Sequence, residues 1–142
     1  MDAKVIVEAL SAVVVIIAAA LSYLFAKWKE READWRKWKY EQYKDFILSL
    51  SGIVGSDRTE EGEIYFARAC NTLHLIGATD VLRALHAFQN EIRSSNPRCN
   101  PDLADQLLTN LVWEIRRDLG ISTSSDFNEF AVQLWCSGTK PH

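Results

Sequence analysis

The chain has 142 residues, a formal net charge of -3, 48% hydrophobic and 25% charged side chains, which bounds it at one small domain or one domain with an appendage. Six Gly and three Pro exclude collagen-like and Pro/Gly-rich disordered sequence, and three Cys leave one thiol over in any intramolecular disulfide framework. These averages conceal a split, because Asp2, Lys4 and Glu8 are the only charged residues before Lys27.

Val5 to Phe25 reads VIVEALSAVVVIIAAALSYLF, apolar on every side with Glu8 as its one charge. At about 1.5 Å per residue this run matches the thickness of a bilayer core. A buried helix of a soluble domain would keep a polar stripe. A cleaved signal would carry its basic residues ahead of the apolar run. Here they follow it, at Lys27, Lys29, Arg31, Arg36, Lys37 and Lys39. That asymmetry predicts a single pass through the inner (plasma) membrane, with the N-terminus outside and the C-terminal domain cytoplasmic. Tyr23, Lys27, Trp28, Lys29, Arg31 and Trp35 are the predicted membrane-interface anchors. Glu8 lies one turn inside the run and is read as reaching the outer headgroups, although intramembrane acids are often functional. Ala18, Ala19 and Ser22 give a small-xxx-small spacing that lets two helices approach closely.

No Pro or Gly occurs between Val5 and Ser51, so the helix is expected to leave the membrane and continue to Leu50. Trp28, Trp35, Phe46, Leu50 and Ile53 fall in one sector of this stretch, with Trp38 and Tyr43 beside it. Three uses compete for the stripe: packing on downstream helices, which is the expected one, a parallel coiled coil with a second copy, and a membrane-surface helix. Glu30, Glu32, Asp34, Glu41 and Asp45 argue against pure surface binding. Ala18, Ser22, Trp28 and Trp35 are the candidate self-association residues.

Ser51-Gly52 and Gly55-Ser56 mark the first loop, and Asp57-x-x-Glu60 resembles a capping box. A helix is predicted from about Thr59 to Ile76, with Ile64, Ala67, Cys70, Leu73 and His74 on its inner face and Gly77 as a C′ glycine. Thr79-Asp80 starts the next, with Leu82, Leu85, Phe88 and Ile92 on one side. Ser94-Ser95-Asn96-Pro97 ends it. Asn100-Pro101-Asp102 supplies a cap, an N1 proline and an acid for a further helix lined by Leu103, Leu107, Leu111 and Ile115. Gly120 closes that helix, and Arg116 and Arg117 suit its last turn. Ser124 to Asp126 is expected to cap a final helix reaching about Trp135. No strand pattern competes, so the fold class is all-α. The organisation is a transmembrane anchor at 1–26, a juxtamembrane amphipathic helix at 27–50, and a cytosolic domain at 51–142 as a compact helical bundle of about four further helices.

Signals for chemistry are sparse. Cys70 and His74, four residues apart on one helix, can hold two ligands of one metal, but zinc takes three or four. His86, Cys99 and Cys136 complete no recognisable spacing, so Cys70 and His74 are read as buried core, with no metal and no cofactor. Cys99, beside Arg98 and a helix start, is the nearest approach to a reactive thiol but lacks a base. No Walker A loop, G-x-G-x-x-G, G-x-S-x-G or H-E-x-x-H occurs. Residues 47–142 are net acidic, which argues against nucleic acid. Arg83, Arg93, Arg98, Arg116 and Arg117 remain available to a small anionic ligand.

The anchor followed by WRKWKYEQYKDF, LSGIVG, ARACNTLHLIGATDVLRALHAF, SNP, IRRDLGI and a terminal LWCSG resembles a group of small uncharacterised bacterial single-pass membrane proteins. The resemblance implies a bacterial origin and a compact helical cytosolic domain. It carries no activity and no site. The expected function is a non-enzymatic, membrane-anchored module that binds protein, including a second copy of itself. The alternative is a ligand-sensing membrane effector, for example in phage defence, that binds a small anionic molecule through its cytosolic domain.

Overall fold

A computed structural model describes residues 2–54, 58–121 and 127–134. These residues are helical or irregular, with no strand among them. Four α-helices follow in order: α1 (Ala3–Ser49), α2 (Glu60–Ile76), α3 (Thr79–Ile92) and α4 (Pro101–Asp118). Short 3-10 turns occupy Leu50–Ile53 and Phe127–Glu129. The chain divides into two compact units, Met1–Trp38 and Lys39–His142.

From Ala3 onward the first unit is part of α1, a helix of 47 residues. Without Pro or Gly, nothing in the sequence interrupts its i→i−4 ladder. Its N-terminal part is long and apolar enough to cross a membrane, and none of that stretch is buried. Val14, Ile16 and Leu21 are each more than half exposed.

The second unit holds the hydrophobic core. Tyr43, Phe46 and Leu50 enter it from the end of α1 and the first 3-10 turn. Ala69, Cys70, Leu73 and Ile76 enter from α2, Val81, Ala84, Leu85 and Phe88 from α3, and Leu108, Leu111 and Ile115 from α4. The stripe on α1 therefore has two fates. Phe46 and Leu50 are fully buried and Ile53 is half-buried, whereas Trp28 and Trp35 are exposed.

Local signals set the helix ends. The Asn100 side chain accepts from the Asp102 N–H at 3.0 Å, with Pro101 in the first turn. Gly120 has φ 71°, and the N–H groups of Gly120 and Ile121 donate to the carbonyls of Arg117 and Arg116. That is the Schellman pattern, which needs a left-handed residue at C′. For α2 the cap is Thr59, whose hydroxyl accepts from the Gly62 N–H at 3.0 Å. The expected capping residue Asp57 lies outside the described residues.

Several expectations are corrected here. Gly77 is extended, at φ −70° and ψ 137°, so it is not a left-handed C′ residue. Its lack of a side chain serves a close approach instead, since a Cβ there would meet the Leu73 carbonyl at 2.9 Å and the Leu82 side chain at 3.3 Å. The buried face of α2 is Ala69, Cys70, Leu73 and Ile76, while Ile64, Ala67 and His74 are exposed. This face is turned by about a quarter of a revolution from the expected one. In α4, Leu103 is exposed and Leu108 takes its place in the core. Among the described residues no further α-helix follows α4, so three α-helices rather than about four come after α1. Residues 127–134 form a 3-10 turn and an irregular segment held on α4 instead. There Trp113 meets Phe127 edge-on at 5.3 Å and Phe130 at 5.2 Å, and the Val132 N–H donates to Thr109. Apolar contact with α4 fixes this segment without a helical ladder of its own.

Candidate functional site

Four features of the structure can carry chemistry or recognition. The first is the run of anchor residues on α1. Tyr23, Trp28 and Trp35 are each more than half exposed, and Lys29 and Arg31 are exposed. The Phe25 ring lies 6.1 Å from Trp28 and carries the Lys29 ammonium 4.8 Å from its centre. Lys27 pairs with Glu30 at 2.9 Å. Trp35 and Trp38 sit 5.1 Å apart. Aromatic rings with cations beside them are the usual furniture of a membrane–water boundary. Ala18 and Ser22 are exposed one turn apart. At 100° per residue Ser22 lies about 120° around the helix from Trp28, so these predicted self-association residues do not form one straight seam.

The second feature is a polar cluster in the second unit. The Asp118 carboxylate, at the end of α4, accepts from the Lys39 ammonium at 2.7 Å, from the Tyr43 hydroxyl and from the Ala78 N–H at 3.3 Å. The Lys39 and Asp118 side chains are 13% and 12% exposed. Burial pushes the Asp118 carboxyl up, but Lys39, Tyr43 and the Ala78 N–H together outweigh it and hold it below the usual carboxylate range. Burial, then the carboxylate beside it, raises the Tyr43 hydroxyl well above an ordinary tyrosine. A neutral phenol, an ammonium and an ionised carboxylate in mutual contact form a satisfied clasp. It joins α1, the α2–α3 connection and the end of α4. Both shifts move the Tyr43 hydroxyl and the Asp118 carboxyl away from neutral pH. Sequence reasoning missed this cluster, because Lys39, Tyr43, Ala78 and Asp118 carry no local motif.

The third is a cavity of about 1000 Å³ in the second unit. Phe66, Phe88, Ile92 and Leu108 line its apolar side, and Val132 and Leu134 of the C-terminal segment line another. Arg58, Glu63, Arg93 and Asp105 supply its charges. Arg58 pairs with Glu63 at 2.5 Å, while Arg93 donates to the Asn90 side chain at 2.9 Å. Among the described residues, neither Arg93 nor Asp105 has an oppositely charged partner within salt-bridge distance. Of the arginines expected to serve an anionic ligand, Arg93 reaches the cavity, and Arg83, Arg98, Arg116 and Arg117 do not line it. Arg83 pairs with Asp80 and Arg117 with Glu114 instead.

The fourth is a pair of histidines on α2 and α3. The expected burial of Cys70 and His74 on one face is half right. Cys70 is buried and its thiol is pushed up to about 11 by that burial, so it is an inert core group. His74 points outward and its Nε2 lies 3.0 Å from Nε2 of His86. Cys99 is exposed at the cavity rim, and Cys136 lies outside the described residues.

No family model, no curated protein and no solved structure matches this chain.

Proposed function

We propose that the protein is a non-enzymatic, membrane-anchored interaction module that associates with a second copy of itself along the exposed aromatic face of α1. The observation that carries this reading is the divided stripe: Phe46 and Leu50 are consumed by the chain's own core, while Trp28 and Trp35 stay more than half exposed. These two tryptophans are seven residues apart, the repeat of a helix–helix seam. Two large rings left open on a helix beside an apolar run call for lipid headgroups or a partner helix. Anchoring in one plane raises the local concentration of copies and lowers the entropic cost of pairing. The basic flank Lys27–Lys39 supports a cytoplasmic position for the C-terminal unit, a juxtamembrane role for residues 27–50, and an N-terminus outside a bacterial plasma membrane. In this reading the rest of the chain is a cytosolic helical bundle that presents a surface to a protein partner.

Cysteine crosslinking in membranes tests the seam. In a background without native Cys, Trp28→Cys and Trp35→Cys are expected to form dimers, and Glu30→Cys and Lys37→Cys are not. The second pair keeps the seven-residue spacing but faces about 160–200° away. Equal crosslinking at all four positions, or at none, refutes the proposed seam.

A second reading has the cavity as its support. Its apolar side and the Arg93 guanidinium, which has no carboxylate partner among the described residues, suit an amphipathic molecule with an anionic group, as a ligand-sensing effector would need. Mass spectrometry of small molecules that copurify after gentle detergent extraction tests it. A bound anionic compound that is lost in Arg93→Ala supports sensing, and no such compound leaves the interaction module alone.

A further inference from the structure

Helices α2 and α3 bring two imidazoles together at the surface. His74 Nε2 and His86 Nε2 are 3.0 Å apart, and both residues are exposed. His74 Nδ1 lies 3.1 Å from the Cys70 carbonyl oxygen. A carbonyl only accepts, so Nδ1 carries the hydrogen and Nε2 of the neutral ring keeps a free lone pair. Metal-binding imidazoles are oriented in this way, with one ring nitrogen donating to a backbone carbonyl and the other facing the ion. The ring centres are 5.2 Å apart with 33° between their planes. The two Nε2 atoms therefore face each other across a single shared hydrogen. Among the described residues no cluster of three His, Cys or carboxylate ligands occurs.

We infer that His74 and His86 form an open, two-imidazole site for a divalent transition metal of the zinc–copper class. Metal–nitrogen bonds of about 2.0–2.1 Å, meeting at about 90–110°, place the two nitrogens roughly 2.9–3.4 Å apart. The observed separation falls in that range. A swing of each exposed ring turns the lone pairs from each other toward a common point beside the N–N line. The metal replaces the hydrogen between the rings. His86 binds as its Nδ1–H tautomer, so that hydrogen passes from Nε2 to Nδ1 through solvent and neither ring changes charge. The remaining coordination positions belong to water, which makes the site exchangeable rather than a closed structural centre. Imidazole selects zinc, copper and nickel over magnesium and calcium. The bound ion ties α2 to α3 across the Gly77–Ala78 connection, and it stabilises the folded chain by mass action. Neither His74 nor His86 lines the cavity of the second unit.

The test uses the untagged full chain in detergent, stripped of metal. Copper(II) is titrated with electron paramagnetic resonance as readout, and zinc(II) with thermal melting. One copper per chain with imidazole nitrogen hyperfine structure is expected, together with a zinc-dependent rise in Tm that magnesium(II) does not produce. His74→Ala and His86→Ala are each expected to weaken copper binding by at least about tenfold, since loss of a ligand costs no less than loss of its outer-sphere support. Both are expected to abolish the zinc effect. Neither ring is buried, so both variants keep the helical circular dichroism signal. His142→Ala is expected to bind as the wild type does. Equal copper affinity in the His74 and His86 variants, binding that depends on His142 instead, or equal stabilisation by magnesium and zinc would overturn the site.

Discussion

Replacing Asp118 by Asn keeps the shape of the side chain and removes its charge. One substitution therefore tests the whole polar clasp. The carboxylate is the counter-charge of a Lys39 ammonium whose side chain is 13% exposed, and it also accepts from Tyr43 and Ala78. Breaking a fully buried pair costs about 3–5 kcal/mol, and a hydrogen bond to a charged group contributes about 1.5–3 kcal/mol. The clasp retains some solvent contact, and Asn still accepts from the phenol or the amide. The expected loss is therefore about 2–3 kcal/mol, a large part of the roughly 5–10 kcal/mol available to a domain of this size. Urea unfolding of residues 30–142, followed by circular dichroism at pH 7, measures it. The pH dependence has a definite sign. Asp118 is held below its unfolded value, so its contribution is fully present above the ordinary carboxylate range and is lost as pH falls through the depressed folded value. The gap between wild type and Asp118→Asn should shrink toward zero in strong acid. Lys39→Met should show coupling to Asp118→Asn in a double-mutant cycle. A variant within about 0.5 kcal/mol of wild type at pH 7, or a gap that widens on acidification, refutes the clasp.

Other outcomes follow from the same contacts. Residues 30–142 should fold alone with a helical circular dichroism spectrum, and a coil-like spectrum would contradict the self-sufficient core. Leu111 is fully buried, so Leu111→Ala should cost about 2–5 kcal/mol in the same unfolding assay. Gly62→Ala should destabilise by about 1–3 kcal/mol although Ala is the better helix former. A Cβ at Gly62 would meet the Gly52 carbonyl at 2.5 Å and its Cα at 2.7 Å, and a stabilised variant would show that this crossing relaxes freely. In intact spheroplasts a C-terminal tag should resist external protease, and its loss without lysis would reverse the orientation.

Local physics made much of this chain legible. The apolar run up to Phe25 is set by composition, because solvent preference is additive along a helix and needs no partner. The helix ends at Asn100-Pro101-Asp102 and at Gly120 were readable because a cap satisfies its own neighbours' backbone groups. The all-α class and the core roles of Phe46, Leu85, Leu111 and Ile115 followed from periodicity alone. Other features required the folded chain. The face of α2 was misjudged, since Ile64, Ala67 and His74 fit helical spacing with Cys70 and Leu73, whereas the fold buries Ala69 and Ile76 beside that pair and leaves His74 outside. Gly62 is needed because the 3-10 turn at Gly52 passes against it, a contact that no local signal announces. The segment 127–134 has a helix-like start but is held by Trp113 and Thr109 of α4. Its backbone follows that surface rather than its own propensity. The meeting of His74 with His86, and of Asp118 with Lys39 and Tyr43, is likewise tertiary. A side chain's spacing along one helix states which way it points, but what it meets depends on how the other helices pack around it.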